Sequence, residues 1–156
     1  MGRCGEITLT DAWQEAATVI GLDTNILLRW LISPDQADLS SSDAELERVS
    51  QIVNTNGDTL FINAVVIAET AWIMEQKLDL GREAVSEIIG RLLFAENVTL
   101  GNDPETRAAL VLHASSNIGF ADCLIAQINL AAGCSHTLTF DQRTARATGF
   151  RHVDDQ

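Results

Sequence analysis

Short apolar runs at Val19–Leu22, Leu60–Ile62, Val98–Leu100, Thr137–Phe140 and around His152–Val153 alternate with longer stretches of helical period. Alternation of this kind predicts the α/β class, with a central, mostly parallel sheet of about five strands and helices on both faces. The helices are legible one by one. Ser42 and Glu45 form a capping-box pattern ahead of Leu46, Val49 and Val53, which share a face. Val85, Ile88, Ile89 and Leu92 make a second stripe, with Glu87 and Arg91 spaced to pair on its outer side. Asp103-Pro104 supplies a cap and a first-turn proline for a helix running to about Ser116. Gly119 then precedes a helix in which Phe120, Leu124, Ile128 and Ala131 recur until Gly133 stops it.

A further helix, through Val65 to Leu78, places Glu69 on one stripe with Val65, Trp72 and Ile73. The expectation is a carboxylate on an apolar face, which needs a partner because burying an unpaired charge is very costly. Ser33–Ser42, with Pro34 and several serines, reads as a loop. Residues 1–17 read as an N-terminal extension, either a short helix with Trp13 as its core residue or a disordered segment. Residues 18–156 read as one domain, without repeats or linkers.

Size and composition narrow the picture. A chain of 156 residues, 46% of them hydrophobic, buries about 70% of its unfolded surface and needs no staple. Cys4, Cys123 and Cys134 are odd in number and lack paired spacing, which argues against a disulfide framework or a zinc site and for a reducing, cytoplasmic compartment. No apolar stretch approaches the roughly 20 residues of a membrane span, and the start of the chain lacks the order of a signal peptide. The net charge of −12, with Lys77 the only lysine, excludes nucleic-acid binding through a broad basic face. An acidic site still handles a polyanion when divalent cations stand between them.

Four acids stand out against that background. Asp23 and Asp141 follow the apolar runs Ile20–Leu22 and Leu138–Phe140, at the carboxyl ends of strands, where ligands of parallel sheets bind. Glu69 and Asp122 fall in early turns of helices that follow loops on the same edge. Four like charges drawn together repel unless neutralised, and Mg²⁺, with Mn²⁺ as substitute, fits because hard divalent ions prefer carboxylate oxygens and water. Such a site opens phosphodiester hydrolysis by a metal-held water. Thr24 and Asn25 stand beside Asp23 as supporting groups, and Thr139 alternates with Asp141 so that both face one side. Each acid also has an ordinary reading: a turn for Asp23, a cap or helix-dipole partner for Asp122 and Asp141, and a solvent-facing helix position for Glu69. His113, His136 and His152 have no ligand spacing and read as core or surface histidines.

Four segments in order, Gly21–Leu31 (GLDTNILLRWL), Ala64–Trp72 (AVVIAETAW), Gly119–Ala126 (GFADCLIA) and Thr137–Asp141 (TLTFD), resemble the PIN domain nucleases and, within them, the VapC-type toxins of bacterial toxin–antitoxin pairs. The resemblance covers about residues 18–153 and implies a three-layer α/β/α sandwich. It implies a Mg²⁺- or Mn²⁺-dependent endoribonuclease with Asp23, Glu69, Asp122 and Asp141 as catalytic and metal-holding acids. It also implies an RNA substrate, a homodimer and a cognate VapB-like antitoxin that blocks toxicity. In this family the first strand usually starts within a few residues of the initiator, whereas here some 17 residues precede it; an upstream start codon and a genuine extension both explain this. Two other acidic, Mg²⁺-using folds fit less well. A receiver-type domain wants a lysine after a late strand, and Lys77 lies in mid-helix; a haloacid-dehalogenase-like phosphatase wants an aspartate where Asn25 stands. The non-enzymatic alternative is a PIN-like module that has lost catalysis and serves interaction or RNA binding, and a further one is a PIN nuclease outside toxin–antitoxin systems.

Overall fold

The computed structural model describes residues 18–32, 43–53 and 59–155. Among these the chain runs β1 (Val19–Gly21), α1 (Thr24–Leu31), α2 (Asp43–Val53), β2 (Thr59–Ile62), α3 (Ala64–Gln76), α4 (Arg82–Leu93), β3 (Val98–Leu100), α5 (Asp103–Ser115), α6 (Phe120–Ala131), β4 (Thr137–Thr139) and β5 (Phe150–His152). The α/β alternation is the one the apolar runs predict. Every strand pairing is parallel, and the strands form a sheet in the order β1-β2-β3 and a second pair, β4-β5. Ile20 lies opposite Leu60, and Leu60 in turn opposite Val98, so the first sheet is in register across its three strands.

The core lies where the strands meet the helices. Leu60 and Ile62 of β2, Leu27 of α1, Ile67 and Met74 of α3, Ile89 of α4 and Phe120 and Leu124 of α6 are all at most 1% exposed. Each large side chain removed from water in this way contributes about 1.5–3 kcal/mol. Helix α3 occupies the middle of the arrangement and packs against α1, α4 and α6.

Several boundaries shift from the sequence pattern. Strand β4 stops at Thr139, leaving Phe140 exposed, and β5 ends at His152, whose ring turns inward. The residue before α5 is Asn102, in the left-handed region at φ 56°, with Asp103 already helical. The phase of α3 is a correction. Its buried side is Val66, Ile67, Thr70, Ala71 and Met74, whereas Val65, Glu69 and Trp72 face outward, Val65 being 75% exposed. Glu69 therefore does not sit on a buried stripe. Helix α3 carries apolar residues all round, so its hydrophobic pattern does not fix which side turns inward. The capping residue Ser42, the loop Ser33–Ser42 and residues 1–17 with Trp13 lie outside the described residues. Cys123 and Cys134 are free thiols. Among the described residues no helix is long and apolar enough to cross a membrane.

Candidate active site

Asp23 follows β1 directly and caps α1: its backbone is extended, φ −91° and ψ 161°, and its Oδ1 accepts the Thr24 N–H at 2.8 Å. The cap satisfies a donor that the first helical turn leaves without a partner. Thr24, itself buried, donates its hydroxyl to Glu69 Oε2 at 2.6 Å. That bond joins the carboxyl end of β1 to α3, across 45 residues of sequence, and gives the exposed Glu69 a fixed orientation. Asn25, the next residue, lines a groove between α1 and α2 with Arg29, Arg48 and Val49.

The second pair of acids is brought together by α6 and the turn after β4. Asp122 lies in the first turn of α6, where the helix dipole favours an acid. Burial nevertheless pushes its pKa up, and the charges of Asp141 and Glu75 push it further, with Arg143 opposing them. Asp141 is fully exposed and is held below the ordinary carboxylate range by the Thr144 N–H, the Thr144 hydroxyl and the Arg143 N–H and charge. The Thr144 N–H bond is 2.6 Å long and ties Asp141 to the first residue of the short 3₁₀ turn Thr144–Arg146. Thr139 takes part as well, its hydroxyl accepting the Asp141 N–H at 3.0 Å. His152 secures the same loop: Nε2 lies 3.1 Å from the Phe140 carbonyl and 3.0 Å from the Gln142 side-chain amide, and Nδ1 accepts the Asp154 N–H at 3.2 Å.

The structure thus joins Glu69 to the Asp23 side through Thr24 and sets Asp122 in the field of Asp141. Among the described residues no three acids, histidines or cysteines come together closely enough to hold a metal ion. The two pairs are connected by α3. Glu75 lies six residues beyond Glu69 on that helix, about 9 Å along the axis and roughly 240° around it, so one helix addresses α1 with Glu69 and α6 with Glu75.

Glu75 is a residue the sequence pattern did not single out. Its Oε1 accepts from His113 Nε2 at 2.9 Å and from the Phe120 N–H at 3.1 Å, at the mouth of α6. His113 is completely buried, its Nδ1 lies 2.9 Å from the Ser86 hydroxyl, and its ring meets Phe120 edge-on at 5.8 Å between centroids. Arg82 braces the same corner by donating to the carbonyls of His113 and Ile118, at 2.7 and 3.0 Å. Burial alone would raise the Glu75 carboxyl; the bonds from His113 and Phe120 and the charges of His113 and Arg82 hold it below its usual value. Because that value is depressed, its share of stability is complete above the ordinary carboxylate range and is lost as acid protonates it. Only contacts distant in sequence reveal this role.

Gly119 sits between the two acids. A methyl group added there would stand 2.9 Å from Glu75 Oε2 and 3.8 Å from Asp122 Oδ2, although the backbone, at φ −65°, accepts any residue. Gly119→Ala is therefore expected to move these carboxylates, changing stability by less than about 1 kcal/mol while lowering the site's activity several-fold. Equal activity in wild type and variant, at matched melting temperature, would show that the gap is not needed.

The PIN domain family model matches residues 20–150 of the chain. The VapC ribonuclease of Aquifex aeolicus (strain VF5) is 27% identical over 133 residues, covering 85% of this chain and 94% of that protein.

Proposed function

We propose that this chain, which belongs to the PIN domain family, is a metal-dependent endoribonuclease that hydrolyses RNA phosphodiester bonds as the growth-inhibiting toxin of a toxin–antitoxin pair. The observation that carries the reading is the crowding of negative charge at α6, where burial, Asp141 and Glu75 hold Asp122 above its usual pKa and Arg143 offsets them only in part. Such a place is relieved by a cation. The donors assigned in this reading, the carboxylates of Asp23, Glu69, Asp122 and Asp141, are all oxygen, the chemistry a hard divalent ion prefers. A resident Mg²⁺ or Mn²⁺ supplies charge neutralisation at the phosphate and an acidified water.

The four acids would hold it only as two pairs, Asp23 with Glu69 and Asp122 with Asp141, that the ion itself draws together, and the chain's other groups set their orientation. Thr24 aims Glu69, Thr139 and Thr144 fix the loop that carries Asp141, and Glu75 holds the turn that carries Asp122. Similarity to a VapC ribonuclease over most of both chains supports the toxin role. With that role go a VapB-like antitoxin, a homodimer and a cytoplasmic location.

Incubating the purified, antitoxin-free protein with total cellular RNA in Mg²⁺, in Mn²⁺ and in EDTA, and mapping new 5′ ends, tests the reading. Discrete cuts are expected with either metal and none in EDTA. Cuts that persist in EDTA would overturn metal dependence, and no cuts under any condition would overturn the nuclease.

A further inference from the structure

Beside the Asp122–Asp141 pair, between the end of α5 and the 3₁₀ turn after β4, lies a pocket of about 310 Å³ lined by Ser115, Ser116, Asn117, Arg143 and Arg146 among others. The placement of the arginines is informative in so acidic a chain. Of its nine arginines, Arg91 and Arg107 pair with Glu87 and Asp103 on their own helices, and Arg82 serves two backbone carbonyls. Arg143 and Arg146 share one polar pocket, and among the described residues neither forms an ion pair. Arg143 is also within electrostatic reach of both Asp122 and Asp141, so the pocket adjoins the proposed reaction centre.

We infer that this pocket is an RNA subsite, in which Arg143 and Arg146 take a backbone phosphate neighbouring the one that is cut. The inference rests on the nuclease reading above and adds to it the element that holds the strand. A protein of net charge −12 repels RNA at long range, and a metal at the acids would serve the scissile phosphate. A second phosphate needs its own cationic donors. Guanidinium groups match phosphate in geometry through paired N–H donors, and the polar residues Ser116 and Asn117 line the same pocket. The volume falls at the small end of ligand pockets, about 300–1,000 Å³, and leaves room for a phosphate with its sugar.

The test uses the full chain, a fluorescein-labelled single-stranded RNA of mixed sequence in EDTA to prevent cutting, and fluorescence anisotropy over a salt series. Arg146→Ala is expected to raise the dissociation constant several-fold and to reduce the slope of log K against log salt by about 0.7, one phosphate contact on a single strand. Arg146→Lys should keep the slope while losing part of the affinity, because the charge stays and the paired geometry goes. In cleavage with Mn²⁺ the loss should fall on KM more than on kcat. Arg146→Gln provides a second substitution should the alanine variant melt early. Unchanged affinity and slope in the Arg146 variants and in Arg143→Ala, with wild type still binding and cutting RNA, would overturn the subsite alone. Wild type that neither binds nor cuts RNA would overturn the nuclease reading and the subsite together.

Discussion

Asp122→Asn is expected to lower metal-dependent RNA cleavage by at least a hundred-fold while making the metal-free protein slightly more stable. The two effects have one cause. Asp122 is partly buried, faces Asp141 and Glu75, and has its pKa raised by all three circumstances, so its charge opposes folding in the absence of a cation. The asparagine keeps the shape and removes the charge. Because the site is half open to water, screening limits the gain to roughly 0.5 kcal/mol, a rise of about 1–2 °C in melting temperature for a domain of this size. The catalytic loss is far larger: groups that merely support a metal ligand account for about 10–100-fold, and a ligand itself should exceed that. The decisive measurements are a thermal melt in EDTA and a cleavage assay in Mn²⁺ on the same preparation. A variant that is less stable and still active would show that Asp122 is an ordinary first-turn dipole partner of α6.

The acids themselves were legible in the sequence. Asp23 and Asp141 were conspicuous because each follows an apolar run, and Glu69 and Asp122 because each stands among apolar residues of a helix, although Asp23 also serves as a cap and Asp122 as a first-turn acid. The elements were more directly legible, from the apolar stripe of α4, the first-turn proline of α5 and the glycines that flank α6. Helix α3 lacked such a stripe. With apolar residues on every side its phase had to be set by packing between α1, α4 and α6, which is why Glu69 turned out exposed and tied to Thr24. The bonds from Glu75 to His113 and Phe120, and from His152 to Phe140, carried no sequence signal either. They join residues whose separations of 38, 45 and 12 are fixed only by the tertiary fold. The arginine pocket has the same character: Arg143 and Arg146 are close in sequence, but Ser115–Asn117 reach them only through the fold.

Glu75→Ala is expected to cost about 2–6 kcal/mol of stability, because two buried or half-buried donors lose their acceptor at once and each such loss costs about 1–3 kcal/mol. One is the ring N–H of His113, which is fully buried and has no water to turn to; the other is the Phe120 N–H at the start of α6. At about 2–4 °C per kcal/mol the melting temperature should fall by roughly 4–24 °C. Glu75→Gln keeps one acceptor oxygen and should recover about half of the loss. Activity separates this role from simple packing. The turn that Glu75 holds carries Asp122, so Glu75→Ala, assayed well below its own melting temperature, should still cleave RNA poorly and bind Mn²⁺ weakly, whereas a core substitution of equal cost distant from α6, such as Ile89→Val combined with Leu92→Ala, should leave both intact. Equal Mn²⁺ affinity in the Glu75→Ala protein and in that core variant would reduce Glu75 to a structural acid. A difference between them would make the His113–Glu75–Phe120 chain the support on which the reactive edge is built.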